Sequence, residues 1–299
     1  MKNKPLIIVL IVLLSIITLC VSSVFVFLLV NKNFSFDSFI GSYKVSKQKI
    51  FDRTFDEDFS GININSNASE IKILESDNST FRVVIYGSKY SSKDKFSVED
   101  YTGKLDIKLD KEPCKGFCFN RKIYSTIVYI PANYDKKLII NNKYGDIHIN
   151  DFESMDLNAK LNAGDIKVGR VNTAKITNDY GDIFVNYAKK IDVLEKCGDV
   201  EIKEVNSVTV KNNYGDIDIN KVNEYLNAEN NCGDISINNL NILKNSQIKD
   251  DLGDIEIGST NEIRINASTS LGDTKIRNNY KSDITLDIKN SCGDIEVNN

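Results

Sequence analysis

The chain has 299 residues, and its 38 basic and 42 acidic side chains leave a net charge of −4. That near-balance on the acidic side gives no electrostatic case for nucleic acid, which draws on clustered Lys and Arg. A single histidine, His148, excludes most histidine-based triads and most histidine-rich metal sites.

In chain order, Lys2 and Lys4 precede an uncharged apolar run, 6–30. As a helix its 25 residues would reach about 37 Å, enough to cross a hydrocarbon core of about 30 Å with some tilt. Residues 1–5 are therefore read as a cytoplasmic N-terminus and 6–30 as a transmembrane signal anchor, which places the bulk of the chain outside the cell membrane; Lys32 weakens that charge bias without reversing it. A cleaved signal at "VSS" (21–23) and a lipoprotein at Cys20 compete with this reading. However, the apolar run continues through "VFVFLLV", and Leu19 is bulky where a lipobox needs a small residue. Residues 31–58 read as a juxtamembrane stalk, whose Phe34, Phe36 and Phe39 suit either the membrane interface or a small packed cluster.

Between 59 and 131, "GININ", "EIKIL", "FRVVIYG", "KLDIKL" and "IYSTIVYIP" read as antiparallel strands that lead into and cap the repeats beyond residue 145. Among them "DKEPCKGFCFNRK" (110–122) is long for a hairpin loop. Cys114 and Cys118 would close a small disulfide ring outside the cell, or stay reduced. Lys115, Phe117, Phe119 and Arg121 form a candidate contact loop for an anionic envelope surface or a partner, against the plainer reading of a solvated loop. A metal there lacks two further ligands.

From residue 145 onward Gly-Asp recurs nine times at steps of 19, 17, 17, 17, 18, 20, 19 and 21 residues. A sustained period of this kind means stacked coils. Two and four places after each Gly stand apolar residues, from Ile147 and Ile149 to Ile295 and Val297; Thr274 is the polar exception. Five and seven places before it stand a second pair of apolar columns, with Ser246 the exception. Period-two alternation of β-branched residues predicts two half-buried strands per coil. The fold class is all-β: a parallel β-solenoid preceded by antiparallel strands, together a β-solenoid domain over 59–299, with one transmembrane helix before it.

The run "IPANYDKKLIINNKYGDIHI" (130–149), followed by Gly-Asp-Ile units at this spacing, resembles a bacterial putative-adhesin family of unknown function, known from membrane-anchored envelope proteins in Firmicute envelope-stress operons. The resemblance implies a solenoid exposed at the cell surface and brings no catalytic residues with it. It also supplies an alternative function, an envelope-stress sensor or regulator.

The Gly-Asp motif has two readings. In one, Gly makes a corner at positive φ and Asp accepts hydrogen bonds from local N–H groups, with Asn142, Asn178, Asn212, Asn230 and Asn290 forming a stacked amide ladder. In the other, Asp146, Asp165, Asp182, Asp199, Asp216, Asp234, Asp254, Asp273 and Asp294 form a cation column. One Asp per coil supplies few of the six to eight oxygens that calcium takes, so the first reading leads. Cys197 and Cys232, two coils or about 9.6 Å apart, are too distant for a disulfide and are read as buried packing thiols. His148 falls on the wet side of its strand. "GDIEVNN" ends the chain with no capping segment, so the last coil is either shielded or stacks end to end on another copy or partner.

Evenly repeated carboxylates do not converge as the acid and base of a polysaccharide lyase or hydrolase must. The sequence therefore reads as a non-enzymatic, cofactor-free binding or scaffold module of the cell envelope.

Overall fold

The computed structural model describes residues 44–87, 95–110, 122–277 and 279–298; the apolar run 6–30 and the loop residues Cys114, Lys115, Phe117, Cys118, Phe119 and Arg121 lie outside them. Within Val45–Pro113 and Lys122–Asn299 the described residues form one all-β body. Its strands are β1 (Lys44–Val45), β2 (Lys49–Phe55), β3 (Gly61–Ser66), β4 (Ser69–Glu75), β5 (Phe81–Tyr86), β6 (Lys95–Tyr101), β7 (Lys104–Asp110) and β8 (Lys122–Ile130). They continue as β9 (Lys137–Tyr144), β10 (Ile147–Ile149), β11 (Phe152–Ala163), β12 (Ile166–Asn178), β13 (Ile183–Glu195), β14 (Val200–Asn212) and β15 (Ile217–Asn230). The C-terminal set is β16 (Ile235–Leu240), β17 (Ser246–Leu252), β18 (Ile255–Thr260), β19 (Arg264–Leu271), β20 (Thr274–Ile276), β21 (Thr285–Cys292) and β22 (Ile295–Val297).

The solenoid is parallel, as its periodicity predicts. Ile166, Ile183, Val200 and Ile217 lie in one register line, and so do Ala174, Ile191, Val208 and Leu226. The four expected columns point inward and are buried through the middle coils. A fifth column was not legible. Seven places after the Gly, Phe152, Val171, Ala188, Val205, Val222 and Leu240 are all buried, and here β12 to β15 run on through a bend instead of breaking into two strands. Ser246 takes its inward place by donating to the Lys244 carbonyl and accepting the Leu226 N–H.

The antiparallel expectation for 59–131 holds only in part. β2 pairs with β5, β5 with β8 and β6 with β7 in antiparallel fashion. β3 instead lies parallel between β7 and β9, and β4 parallel between β8 and β10, so both belong to the solenoid. The residues that drive this are Ile62, Ile64, Ile71 and Ile73, which extend the same inward columns. Phe55, Phe59, Phe81 and Tyr134 pack edge to face at centroid distances of 5.0–5.7 Å and, with β2 and β5, put large apolar surface beside the first coils.

The C-terminal strands are not the end of the stack. β21 lies between β17 and β19, and β22 between β18 and β20. The outermost coil is therefore β19–β20: "GDIEVNN" is not the last coil of the stack but is shielded by an upstream segment, the first of the two alternatives for that end. Thr274, polar in an otherwise apolar column, sits on that outer coil and is exposed. The side-chain amide of Asn279 pairs with both the N–H and the C=O of Ile265, satisfying one residue of the free edge. An end-to-end partner would meet β19–β20, not the C-terminal segment.

Candidate functional site

The Gly-Asp corner is the most repeated feature of the surface, and its glycines are required sterically. All nine have φ between 105° and 157°. A Cβ on Gly215 would collide with the carbonyl oxygen of Gly198, one coil away. The nine corners stack in the spatial order 145, 164, 181, 198, 215, 233, 253, 293, 272, and so enclose eight turns.

The aspartates do not bond local N–H groups as expected. Oδ1 of each, up to the last, accepts the backbone N–H of the aspartate in the next coil, in eight bonds of 2.7–3.1 Å running from Asp146 to Asp273. Coil stacking accounts for this: with Cα atoms about 4.8 Å apart, it sets the next coil's donor directly against each carboxylate. Among the described residues no group of three His, Cys, Asp or Glu side chains is placed to hold a metal ion.

The asparagines form no amide-to-amide ladder either. Nδ2 of Asn142, Asn178, Asn212, Asn230 and Asn290 donates to glycine carbonyls of its own or the adjacent corner at 2.7–3.1 Å. Two carboxyls interrupt this inward column, and sequence reasoning missed both. Glu195 and Asp250 are fully buried. Glu195 accepts the N–H groups of Lys196 and Cys197 through one oxygen while the other has no partner. Burial pushes its pKa up to about 7, against those two N–H groups. Burial likewise pushes Asp250 up to about 6, opposed by the nearby N–H groups of Asp251 and Leu252, and neither of its oxygens completes a hydrogen bond. Both stand where an asparagine would donate to glycine carbonyls, so each suits its place only when protonated.

The position just before each Gly, where the sequence predicts buried packing thiols at Cys197 and Cys232, faces outward. Tyr144, Tyr180, Tyr214, Leu252 and Leu271 are 44%, 61%, 61%, 54% and 69% exposed. Cys197 and Cys232 are half-buried and Cys292 is exposed; all three are free thiols. The backbone bonds that join successive corners give the spatial order Tyr144, Ala163, Tyr180, Cys197, Tyr214, Cys232, Leu252, Cys292, Leu271. Large and small side chains alternate without exception. In sequence order the alternation fails at Leu252–Leu271–Cys292, because Cys292 belongs spatially between the two leucines. The result is an uncharged ridge about 38 Å long on the outside of a hydrophilic rod.

Elsewhere the surface holds open polar hollows. One of about 620 Å³ is lined by Lys189, Lys190, Glu224 and Lys244 among others. Its single carboxylate, Glu224, is held below the usual range by the Lys244 ammonium and the Ser207 hydroxyl, which leaves it a poor proton acceptor. His148 is exposed, as its place in the strand predicts, and borders a smaller hollow with Glu75 and Lys167.

The Toastrack DUF4097 family model matches residues 59–298. Solved structures to which the chain is similar include a putative adhesin from Bacteroides fragilis, 15% identical with a TM-score of 0.46, covering 86% of this chain and 100% of that one. A putative lipid binding protein from Parabacteroides distasonis is 14% identical with a TM-score of 0.45, covering 85% and 99%. A putative adhesin from Parabacteroides merdae is 10% identical with a TM-score of 0.37, covering 85% and 98%. No curated protein matches the chain.

Proposed function

We propose, from the premise that this chain belongs to the Toastrack DUF4097 family, that it is an adhesin-like binding module held on the outer face of a bacterial cell membrane by residues 6–30. One observation carries the binding role. The rod sets five large exposed side chains, one at every second corner of nine, on a single uncharged ridge, which a scaffold with no ligand or partner gains nothing by exposing. The support for the location is the uncharged 25-residue run behind Lys2 and Lys4. Binding here needs no moving part. The Asp ladder and the asparagine–glycine bonds fix the corners coil by coil, so the surface is preorganised and loses little entropy on contact.

Protease treatment of intact cells tests the location: an epitope within 59–298 should be lost while a cytoplasmic marker survives. Protection of that epitope until the cells are opened would overturn the reading.

A further inference from the structure

We infer that the ridge is a rail for a linear β-1,4-linked glycan bearing free amino groups, with the tyrosine rings as stacking platforms and the neighbouring aspartates as acceptors. The inference rests on the binding role proposed for the ridge and deepens it.

Three observations converge on this ligand. The first is spacing. Tyr144, Tyr180 and Tyr214 stand on alternate coils, about 9.6 Å apart. In an extended β-1,4-linked chain successive sugars are flipped, so the same face returns with each disaccharide, and one disaccharide spans close to that two-coil distance. The second is the small residue between platforms. Ala163 and Cys197 are small and separate the exposed tyrosines, and an exposed aromatic face is one on which the apolar C–H face of a sugar stacks.

The third is charge complementarity. Two places along from the ridge run the nine aspartates, and the ladder engages only their Oδ1 atoms. N–H donors carry no net charge, so the row stays anionic, and unit charges about 5 Å apart repel by roughly 0.8 kcal/mol even in water. Beside Tyr214 the next outward-facing column adds Glu201 and Asp218 and, beyond Ser236, Glu256, whereas beside Tyr144 and Tyr180 the same column holds His148, Lys167 and Phe184. Asp218 feels that crowding: burial first, then Asp216, Glu201, Asp199 and Asp234, raise its pKa. Such a border repels a polyanion, accepts hydrogen bonds from the hydroxyls of a neutral glycan, and favours a chain with ammonium groups most.

Titration of the full-length chain in detergent micelles with β-1,4-linked glucosamine oligomers, followed calorimetrically and by tyrosine emission, tests this. The chain has no Trp, so the emission belongs to tyrosine. The glucosamine oligomer should bind, the neutral glucose oligomer of equal length should bind more weakly, and an anionic uronic-acid oligomer should not compete. Tyr180→Ser with Tyr214→Ser should weaken binding about tenfold or more with an unchanged melting curve, while Tyr180→Phe with Tyr214→Phe retains it. Binding that survives the serine pair, is lost in the phenylalanine pair, or prefers the anionic oligomer overturns the inference. If the chain is retained on isolated envelopes yet ignores every oligomer, the glycan rail fails and the binding reading stands. If it does neither, both fail.

Discussion

Replacing Asp250 by Asn should stabilise the protein at neutral and basic pH and do nothing in acid. Asp250 is fully buried in the column where five asparagines donate Nδ2 to glycine carbonyls, and by register it faces the corners of Gly233 and Gly253. A carboxylate there presents an acceptor to acceptors. Its pKa is raised from the ordinary 3.8 to about 6 in the folded chain. A raised folded pKa means that stability is full below about pH 4 and falls as pH rises through about 6. The loss levels off near 3 kcal/mol, from a shift of about two units at roughly 1.4 kcal/mol each. Asn has nearly the same shape, restores the donor and carries no charge at any pH. Asp250→Asn should therefore gain up to about 3 kcal/mol at pH 8, or roughly 6–12 °C in melting temperature, and close to nothing at pH 4. Thermal melts followed by circular dichroism at pH 4, 6 and 8 measure this. A gain independent of pH, or a loss at pH 8, would refute the reasoning.

Three further outcomes are expected. Glu195→Gln should behave likewise, with its gain appearing about one pH unit higher because Glu195 is pushed up to about 7; coincident pH profiles for the two variants in the same melts would contradict this. Gly215→Ala should cost about 3 kcal/mol or more, since it forces a positive φ and a collision with the Gly198 carbonyl together; denaturant unfolding within about 1 kcal/mol of the parent would show the corner can relax. Asp216→Ala should cost about 1 kcal/mol by leaving the Asp234 N–H without its acceptor, and melting of the parent chain should be the same in millimolar calcium and in chelator; a calcium-dependent shift that Asp216→Ala abolishes would restore the cation column.

Much of the fold was legible because it is carried by side-chain type at fixed offsets. Ile147, Ile166, Ile183 and Val200 are in the predicted column because a parallel stack puts like on like. What escaped depends on partners distant in sequence. The Asp216 carboxylate accepts from Asp234 in the next coil and the Asp254 carboxylate from Asp294, 18 and 40 residues on, far beyond the two or three residues that a local turn spans. Glu195 and Asp250 escaped because a charged residue at an irregularly filled position reads as surface, and only burial shows it taking the place of Asn. The outward direction of the Tyr–Cys column escaped for a third reason: apolar residues at a turn are normally core, and their alternation was scrambled by the displaced last coil.

That displacement occurs at both ends of the rod. At the C-terminal end β21–β22 lies inside β19–β20, and at the N-terminal end β3–β4 lies inside β7–β8, against β9–β10. At the C-terminal end the outermost coil is thus the one whose sequence tolerates exposure, whereas at the N-terminal end β7–β8 carries apolar columns of its own, Leu105, Ile107 and Leu109 among them, that are buried. β19–β20 brings Thr274, Ser268 and Ser270, while β7–β8 is met by the antiparallel β5 and β6. The inner slots take the segments with unbroken apolar columns, Ile62, Ile64, Ile71 and Ile73 at one end and Leu286, Ile288, Ile295 and Val297 at the other, all buried. A solenoid that simply stopped would expose a fresh apolar edge and invite pairing with another chain. Tucking the last strongly apolar strand beneath a more polar coil removes that edge from the surface. The ridge supports the same conclusion independently: its side chains alternate in spatial order and not in sequence order, so they are matched to the neighbours they meet in the folded rod.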